Sequence, residues 1–482
     1  MKSKIVSILL VFASVLDVSG QYRSIFSEPF NIQRKTGIDI VGKTHGKFHV
    51  FLDGAKMGQL ATFNKFLSMD TVYSFNRGGD SLKKVNFYAV KDSFYHVSTE
   101  KENPRSYYWN GGVSSDTAAE VLFEFNEKIR GEASDLKMIK SYDQNAVLLH
   151  YLENKADDLN FYGVLWKVDS NQYYKRSFSQ LLSNRGMEVM DKAVTNDGKV
   201  YLLVKRRFVQ AAVGSADRIY YELLQLDMVN GISNVIEIKE DSIYLGNMAL
   251  RMDESNKQLV VAGYYSRTNY REVHGLSFYR LNTQLLDIER KHFCEMTPYQ
   301  LRRLGVNNIR EKDRGIEDLN LLEIVLRSDG GILIVGQVEY SSVLSYGNNN
   351  LYVTPYSTVE VVYYHKDEVV VTSVKPDGTF HWNAVIGKKQ ESQDRYDPFM
   401  GVAYGISPKG LFFLSNQDID NADQLILWQI NIYGEVKRNY VCRDRMRVNS
   451  FEQTNLTEWV GVCQNFSDLR IIRFDMGDAS AH

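Results

Sequence analysis

Few residues in this chain of 482 have the spacing that metal or catalytic chemistry requires. His45 and His49 are the closest pair of histidines. In an extended strand they share a face but lie about 13 Å apart, whereas a shared zinc ion needs each ring nitrogen within about 2 Å. The pair therefore predicts no zinc site.

A group of three acids has some features of a calcium loop. Asp418, Asp420 and Asp423 have suitable spacing, but the glycine and distal glutamate of a full site are missing. We interpret the group as an acidic surface loop. We therefore predict no metal and no cofactor.

The sequence also lacks the recognised catalytic motifs. It contains no Gly-x-Ser-x-Gly elbow, His-Glu-x-x-His helix, Cys-x-x-Cys pair, P-loop or dinucleotide fingerprint. We therefore name no catalytic residue and favour a non-catalytic protein. An enzyme stays open, because carboxylates on distant loops can meet in space without leaving a sequence motif.

Bulk composition excludes some partners. The net charge is −2 with an isoelectric point near 6.5, so the chain lacks the basic footprint of a nucleic-acid-binding protein. The three cysteines, Cys294, Cys442 and Cys463, are too few for a disulfide framework. A Cys442–Cys463 bridge and buried thiols are the two alternatives.

The elements that would position any site follow from a short apolar phrase that recurs eight times. Each copy ends in Asn, Asp or Lys, and a polar turn such as Asn230-Gly231 usually follows. An apolar run ending at such a turn predicts a buried strand. The copies span residues 60–64, 122–126, 165–169, 223–227, 278–282, 371–375, 427–431 and 471–475.

Each copy belongs to a larger module of strand, turn, strand, loop, strand, turn and strand. The modules recur every ~45–60 residues, a period typical of propeller blades. The pattern predicts an all-β fold: a single β-propeller over residues 21–482, with eight four-stranded blades. Seven blades are the alternative, if the first module is an accessory hairpin. Separate β-sandwiches fit the turn spacing but not the repeated phrase.

The last module lacks its fourth strand, because little chain follows Asp475. Phe26 to Arg34 precede the first module. We predict that this N-terminal segment pairs into the last blade and closes the ring. A closed ring has no seam at which the first and last blades would separate.

The first twenty residues predict a signal peptide. Lys2 and Lys4 precede an apolar run from Ile5 to Leu16, and Gly20 precedes the expected cleavage site. The run is too short to span a bilayer, and no other stretch is long enough. We expect an exported protein without a transmembrane segment, periplasmic in a diderm bacterium and otherwise extracellular.

A short helical insert is predicted between Phe293 and Leu319. Thr297-Pro298-Tyr299-Gln300 has the residue types of a helix start with a capping box. Arg302 and Arg303 begin a run of alternating charges. We interpret the insert as a solvated cap over a blade, or as a docking element for an anionic partner.

A long hairpin insert is predicted from Glu339 to Lys366. It is rich in tyrosine, a residue that offers rigid contact area with a polar tip. It is either a connection folded onto its own blade or a recognition arm for protein or glycan. The tyrosines proposed to bind are Tyr340, Tyr346, Tyr352 and Tyr356.

One module carries a resemblance to a known repeat. Lys375-Pro376-Asp377-Gly378-Thr379-Phe380-His381-Trp382 resembles the Asp-x-x-x-Gly-x-x-Trp phrase of the pyrroloquinoline-quinone-like propeller. That resemblance implies eight blades. Quinoprotein dehydrogenases of this type also use an adjacent cysteine pair and calcium ligands, and this chain has no adjacent cysteines. Non-enzymatic members are envelope assembly scaffolds. They are commonly lipoproteins, but here no cysteine stands directly after the apolar run of the signal peptide.

These patterns favour an exported, non-catalytic propeller that serves as a scaffold for a protein partner in the cell envelope. The alternative is a propeller that binds or cleaves glycans. Histidine, tyrosine and arginine clustered at one end of the central channel would favour the alternative. An apolar channel would count against it.

Overall fold

The structure, a computed structural model, describes most of the chain in segments. The described residues are 23–31, 37–53, 57–76, 82–91, 93–103, 106–114, 127–130, 137–155, 158–183, 187–208, 218–268, 271–297, 302, 315–347, 358–394, 400–417, 425–442, 447–465 and 468–475. Within these ranges, no helix is long and apolar enough to cross a bilayer.

The elements are β-strands, arranged in eight four-stranded antiparallel sheets, which confirms the predicted eight-bladed propeller. Sheet order follows chain order in blades 1 to 7, so each of these blades is a meander. The strands that precede the first blade are β1 (Arg23–Phe26) and β2 (Phe30–Asn31). Blades 1 to 3 contain β3 (Gly37–Thr44), β4 (Lys47–Asp53), β5 (Met57–Phe63) and β6 (Met69–Asn76); β7 (Leu82–Val90), β8 (Ser93–Asn103), β9 (Ser106–Ser114) and β10 (Glu127–Arg130); and β11 (Lys137–Lys140), β12 (Ala146–Lys155), β13 (Asp158–Lys167) and β14 (Gln172–Ser183).

Blades 4 and 5 have four strands each, and the chain of blade 5 includes one extra strand outside its sheet. Blade 4 contains β15 (Met187–Val194), β16 (Lys199–Phe208), β17 (Arg218–Asp227) and β18 (Ile232–Ile238). Blade 5 contains β19 (Tyr244–Asp253), β20 (Gln258–Ser266), β22 (Gly275–Asn282) and β23 (Ile288–Glu295). The short strand β21 (Glu272–Val273) pairs with β24 (Ile316–Glu317), outside the blade.

The last three blades include the longest strands. Blade 6 contains β25 (Leu319–Leu326), β26 (Ile332–Gly347), β27 (Thr358–Val374) and β28 (Phe380–Ile386), and β29 (Glu391–Gln393) also pairs with β27. Blade 7 contains β30 (Ala403–Ser407), β31 (Gly410–Asn416), β32 (Leu425–Asn431) and β33 (Val436–Cys442). Blade 8 contains β34 (Arg447–Asn455), β35 (Glu458–Asn465) and β36 (Asp468–Asp475), completed by β1.

The N-terminal strand closes the ring, as predicted, although it begins earlier than Phe26. In β1, Ser24 lies opposite Phe474, and in β2 Phe30 lies opposite Leu469. Between them, the Ser27 amide donates to the Ile471 carbonyl at 2.9 Å, and the Ile471 amide donates to Ser27 Oγ at 2.9 Å. Both strands therefore pair with β36 as the missing fourth strand of blade 8.

In four blades, the side chain that ends the phrase stabilises the turn that follows it. Asp227 Oδ1 accepts the amides of Val229 and Asn230 at 3.0 and 2.9 Å. Such side-chain acceptors stabilise a turn by replacing a backbone partner. Where Lys375 ends the phrase, Asp377 accepts the Thr379 amide instead, at 2.9 Å. Seven of the eight copies lie in the third strand of a blade, and copy 122–126 lies outside the described residues.

The inner strands are almost continuously apolar because each blade is buried on both faces. In β16, Val200 and Leu202 pack towards blade 3, while Tyr201 and Leu203 pack towards blade 5. Burying a large apolar side chain stabilises a fold by roughly 1.5–3 kcal/mol. Each neighbouring pair of blades shares an apolar cluster, represented in ring order by Val41/Ala89, Val90/Val147, Leu148/Val200, Leu203/Leu259, Val260/Ile334, Val335/Phe413, Leu414/Trp459 and Val462/Phe48.

The phrase that carried the family resemblance makes a contact between blades. The Trp382 indole lies against Gly434, where an added Cβ would be 2.7 Å from the ring, and Trp382 Nε1 donates to the Ile432 carbonyl at 2.9 Å. At the corresponding position of blade 3, Arg176 donates to the Val229 carbonyl of blade 4 at 2.8 Å. An arginine thus makes the same kind of contact without the tryptophan of the family phrase.

The propeller has two different faces. The turn face carries the connections between first and second strands and between third and fourth strands. These span at most five residues except in blade 2, where residues 115–126 link β9 to β10. The loop face carries the remaining connections, including the long hairpin formed by β26 and β27 and the insert between β23 and β25. We call residues 339–366 the arm. Its strands confirm the predicted hairpin insert, and both inserts emerge from the loop face.

The elements of the described residues are strands, so the predicted helical insert is not supported, although the single residue Arg302 has helical backbone geometry. Of residues 297–314, only Thr297 and Arg302 are described. The part of the insert next to blade 6 is extended. Its strand β24 pairs with β21, and Ile316 lies opposite Val273. Pairing with a neighbouring connection supplies backbone partners for Ile316 and Glu317.

Close packing between blades 7 and 8 generates a testable prediction. A Cβ added at Gly405 would lie 2.2 Å from the ring of the fully buried Trp459. We expect Gly405→Ala to lower the free energy of unfolding by about 1–3 kcal/mol, because overpacking forces neighbours to shift. Denaturant unfolding measures the change.

Gly387→Ala is the matched control, because an added Cβ there meets nothing within 4 Å. We expect its change to stay within about 0.5 kcal/mol. Equal stabilities for the two variants would show that Trp459 does not pack on Gly405 as described.

Candidate functional site

The first strands of neighbouring blades contact one another around the propeller axis, so their side chains line a central channel. Four of them form a continuous polar chain across blades 4 to 7. Arg251 in β19 bonds to Asp191 Oδ2 in β15 at 2.8 Å and pairs with Glu323 in β25. Tyr404 in β30 donates its hydroxyl hydrogen to the other oxygen of Glu323. We call these four residues the channel chain.

Two β-bulges aim the carboxylates of the channel chain. The pairing register of β15 shifts between Val189 and Asp191, and that of β25 shifts between Leu321 and Glu323. A bulge re-aims the side chain beside it. Arg251, midway between these strands, also donates to the Ile324 carbonyl at 2.9 Å. Its guanidinium is therefore held by neighbours on both sides.

A second pair of charges faces the channel from blades 3 and 8. Burial lowers the pKa of the Lys140 ammonium and raises the pKa of the Glu452 carboxyl, and the attraction between the two opposes both shifts. Lys140 Nζ also donates to the Ala89 carbonyl of blade 2 at 2.9 Å. Six polar or charged side chains thus line the described part of the channel, which answers the objection that an entirely apolar channel would raise to the glycan alternative.

A buried polar cluster anchors the base of the arm. Lys388 donates to the Lys366 carbonyl at 2.7 Å and to Gln390 Oε1 at 2.8 Å. Gln390 Nε2 in turn donates to the Asn416 carbonyl in blade 7 at 2.6 Å. Burial lowers the pKa of Lys388 to about 7. These bonds tie the arm to two blades, so it rises from a fixed base.

Tyr340 is the predicted binding residue that the structure describes in most detail. Its ring stacks on His365 with centroids 4.3 Å apart, and its hydroxyl donates to Asp367 Oδ2 at 3.2 Å. Its side chain is nevertheless 39 % exposed. Burial also raises the pKa of Tyr340, so the phenol stays protonated. Tyr340 is therefore an oriented, accessible aromatic at the base of the arm.

The other predicted binding residues are less fully described. Tyr346 lies in β26 opposite Val359, and Arg302 is exposed. Tyr352, Tyr356 and Arg303 lie outside the described residues. Their proposed binding roles stay predictions.

One histidine of the pair considered for zinc is contacted by hydroxyl groups. His49 is buried, and its two ring nitrogens lie 3.1 Å from the hydroxyls of Thr44 and Thr62. Burial lowers the pKa of His49 to about 4, so the ring is neutral. Within the described ranges, no three His, Cys, Asp or Glu side chains are placed to share an ion. Asp418, Asp420 and Asp423 lie outside those ranges.

Comparison with known proteins gives only structural likenesses. No family model matches the chain, and no curated protein matches it. The WD40 domain of SCAP from fission yeast is similar with 8 % identity and a TM-score of 0.40, covering 95 % of this chain and 98 % of that one. Polysaccharide lyase Uly1 has 9 % identity, a TM-score of 0.41, and coverage of 93 % and 91 %.

A prolyl endopeptidase is also similar, with 7 % identity and a TM-score of 0.41, covering 89 % of this chain and 55 % of that one. With TM-scores near 0.4 and identities below 10 %, these likenesses decide neither the fold nor what the chain binds. The resemblance to the pyrroloquinoline-quinone-like repeat stays a prediction.

The channel chain generates a second prediction. We expect Arg251→Met to lower the free energy of unfolding by about 2 kcal/mol, because it leaves the carboxylates of Asp191 and Glu323 without the cation that both of them bind. The figure is reduced for solvent screening, since the three side chains are 17–29 % exposed. Urea unfolding measures it.

Arg267→Met is the matched control. Arg267 pairs with Glu295 at 2.8 Å, but these side chains are 47 % and 56 % exposed. Such surface pairs contribute about 0–1 kcal/mol. If both variants lose the same small amount of stability, the channel chain does not lock the blades together.

Proposed function

We propose that this protein is an exported, non-catalytic scaffold that binds a protein partner in the cell envelope through the loop face beside blades 5 to 7. The observation that carries the proposal is the unequal elaboration of the two faces. The arm, the insert before β25, and the added strands β21, β24 and β29 gather on one side of one part of the ring. Binding residues are typically carried by loops that a rigid scaffold positions.

The arm has the properties of a recognition element. Its base is fixed by the buried bonds of Lys388 and Gln390. Above that base, Val343 and Leu344 are 55 % and 48 % exposed, and Tyr340 is partly exposed. Apolar and aromatic side chains held on a rigid support lose little conformational freedom on binding. The arm therefore suits a protein surface.

Export to the envelope rests on the sequence. Residues 1–20 have the basic start, short apolar run and small cleavage-site residues of a signal peptide. The location that follows is periplasmic in a diderm bacterium and extracellular otherwise. Fractionation of cells that express the full chain tests this directly.

The partner test compares the two faces. We expect that replacing residues 343–362 with Asn-Gly, which keeps the Ser342–Tyr363 pair at the new turn, lowers recovery of the envelope partner at least tenfold. Affinity purification from the envelope fraction with mass spectrometry measures recovery. The controls are Tyr142→Ala and Tyr433→Ala on the turn face, where the side chains are 84 % and 74 % exposed.

Both control variants should retain the partner. Full recovery with the shortened arm would contradict the proposal, and so would loss of the partner in either control. Thermal unfolding of the shortened chain confirms that the ring is intact before the result is interpreted.

A second candidate is a propeller that binds or cleaves glycans, and the polar channel favours it. Tyr404 and Arg251 supply two of the expected residue types, but the described first strands contribute no histidine to the lining. Arg251 is already paired with two carboxylates, which counts against its holding an anionic sugar. Binding to a glycan array that is lost in Tyr404→Phe would support this candidate.

A further inference from the structure

One edge of the arm is open in the described structure. Strand β26 pairs with β25 as far as Val338, and the Glu339 amide then donates to the Asp318 carbonyl at 3.0 Å. Beyond that bond, the described ranges contain no strand along the same edge of β26. Because backbone groups alternate between the two sides of a strand, Ser341, Val343 and Ser345 direct their amide and carbonyl groups outward.

This edge is also uncharged. No Asp, Glu, Lys or Arg occurs from Tyr340 to Val359, in a chain with 24 % charged residues. Proteins usually protect an exposed edge strand with charges, proline or a bulge, because its free backbone groups template pairing with another chain. The exposed Val343 and Leu344 add apolar surface here. The edge therefore has the properties of a strand that pairs.

The sequence of the edge indicates the occupant. Residues 340–346 read Tyr-Ser-Ser-Val-Leu-Ser-Tyr, which is nearly the same in both directions about Val343. An antiparallel pair formed by two copies places each residue opposite its mirror position. Tyr340 would then face Tyr346, and Ser341 would face Ser345. Val343 would face its own copy, and the one unlike pair would be Ser342 with Leu344. Glu339 would lie opposite Gly347 of the second copy, so no like charges meet.

The alternation of outward-facing backbone groups along β26 agrees with the same register. Ser341, Val343 and Ser345 are the outward residues, and a two-fold axis at Val343 pairs 341 with 345 and 343 with itself. Each such pair exchanges two N–H···O bonds in an antiparallel ladder, giving about six bonds. A centre at residue 342 or 344 would place inward-facing backbone groups on the axis.

We propose that the protein forms a two-fold homodimer in which the β26 edges of two arms pair antiparallel about Val343. The sheet of blade 6 then continues into the second copy, and the dimer presents two loop faces. This inference goes beyond the scaffold function. Its test uses the purified mature chain alone, so it fails or succeeds separately from the search for an envelope partner.

The first test is the mass in solution by sedimentation equilibrium. We expect the mature chain to have the mass of a dimer. Val343→Lys should raise the dissociation constant at least tenfold, because it places two like charges opposite each other at the axis. Val235→Lys is the matched control, since Val235 is 61 % exposed on β18 of blade 4 and should leave the dimer intact.

The second test fixes the register. Opposite residues in a hydrogen-bonded antiparallel pair have Cα atoms about 5.5 Å apart, a separation that a disulfide can span. Val343→Cys should therefore cross-link two copies under mild oxidation. Ser341→Cys should not, because its symmetry mate would lie about 13 Å away along the strand. The wild-type chain controls for its own cysteines.

A monomer at about 100 µM would overturn the proposal. So would a dimer whose affinity is unchanged in Val343→Lys, or cross-linking through Ser341→Cys in place of Val343→Cys. A monomeric wild type whose envelope partner is lost in Val343→Lys would assign the edge to a strand of another protein.

Discussion

The pairing of the N-terminal strand with β36 is the constraint on which the rest of the structure depends. Alternate side chains of β1 reach the two neighbouring blades: Ile25 packs into the cluster shared with blade 1, and Phe26 into the cluster shared with blade 7. At the same junction, Glu458 binds Lys43 of blade 1 at 2.6 Å and Arg473 at 2.7 Å. Residues far apart in the sequence thus join the first and last blades.

Ring closure has consequences for the candidate sites. Eight blades held in a ring keep every first strand at the axis, and this allows Arg251 to reach carboxylates of both neighbouring blades. The same constraint places the arm and the insert before β25 on one face. The arm can therefore present Tyr340 and the edge of β26 from a base that two blades fix through Lys388 and Gln390.

The sequence predicted features that depend on local signals. Residues such as Asp227 mark turns because their side chains accept nearby amides. Two-sided burial makes β16 apolar from Val200 to Val204. The channel chain could not be predicted, because Asp191, Arg251 and Glu323 are about sixty to seventy residues apart and two bulges aim the carboxylates. The extended part of the insert was missed because β21, the strand that pairs with it, lies in a different connection.

Ring closure is most directly tested by hydrogen exchange on two forms of the chain, one beginning at residue 21 and one at residue 32. The account predicts that the shorter form loses amide protection in β36 and in the strands of blades 1 and 7 that pack against β1, since their protection reflects opening of the closed ring. Blades 3 to 5 should keep more of theirs. Equal protection of β36 in the two forms would contradict ring closure by the N-terminal strand.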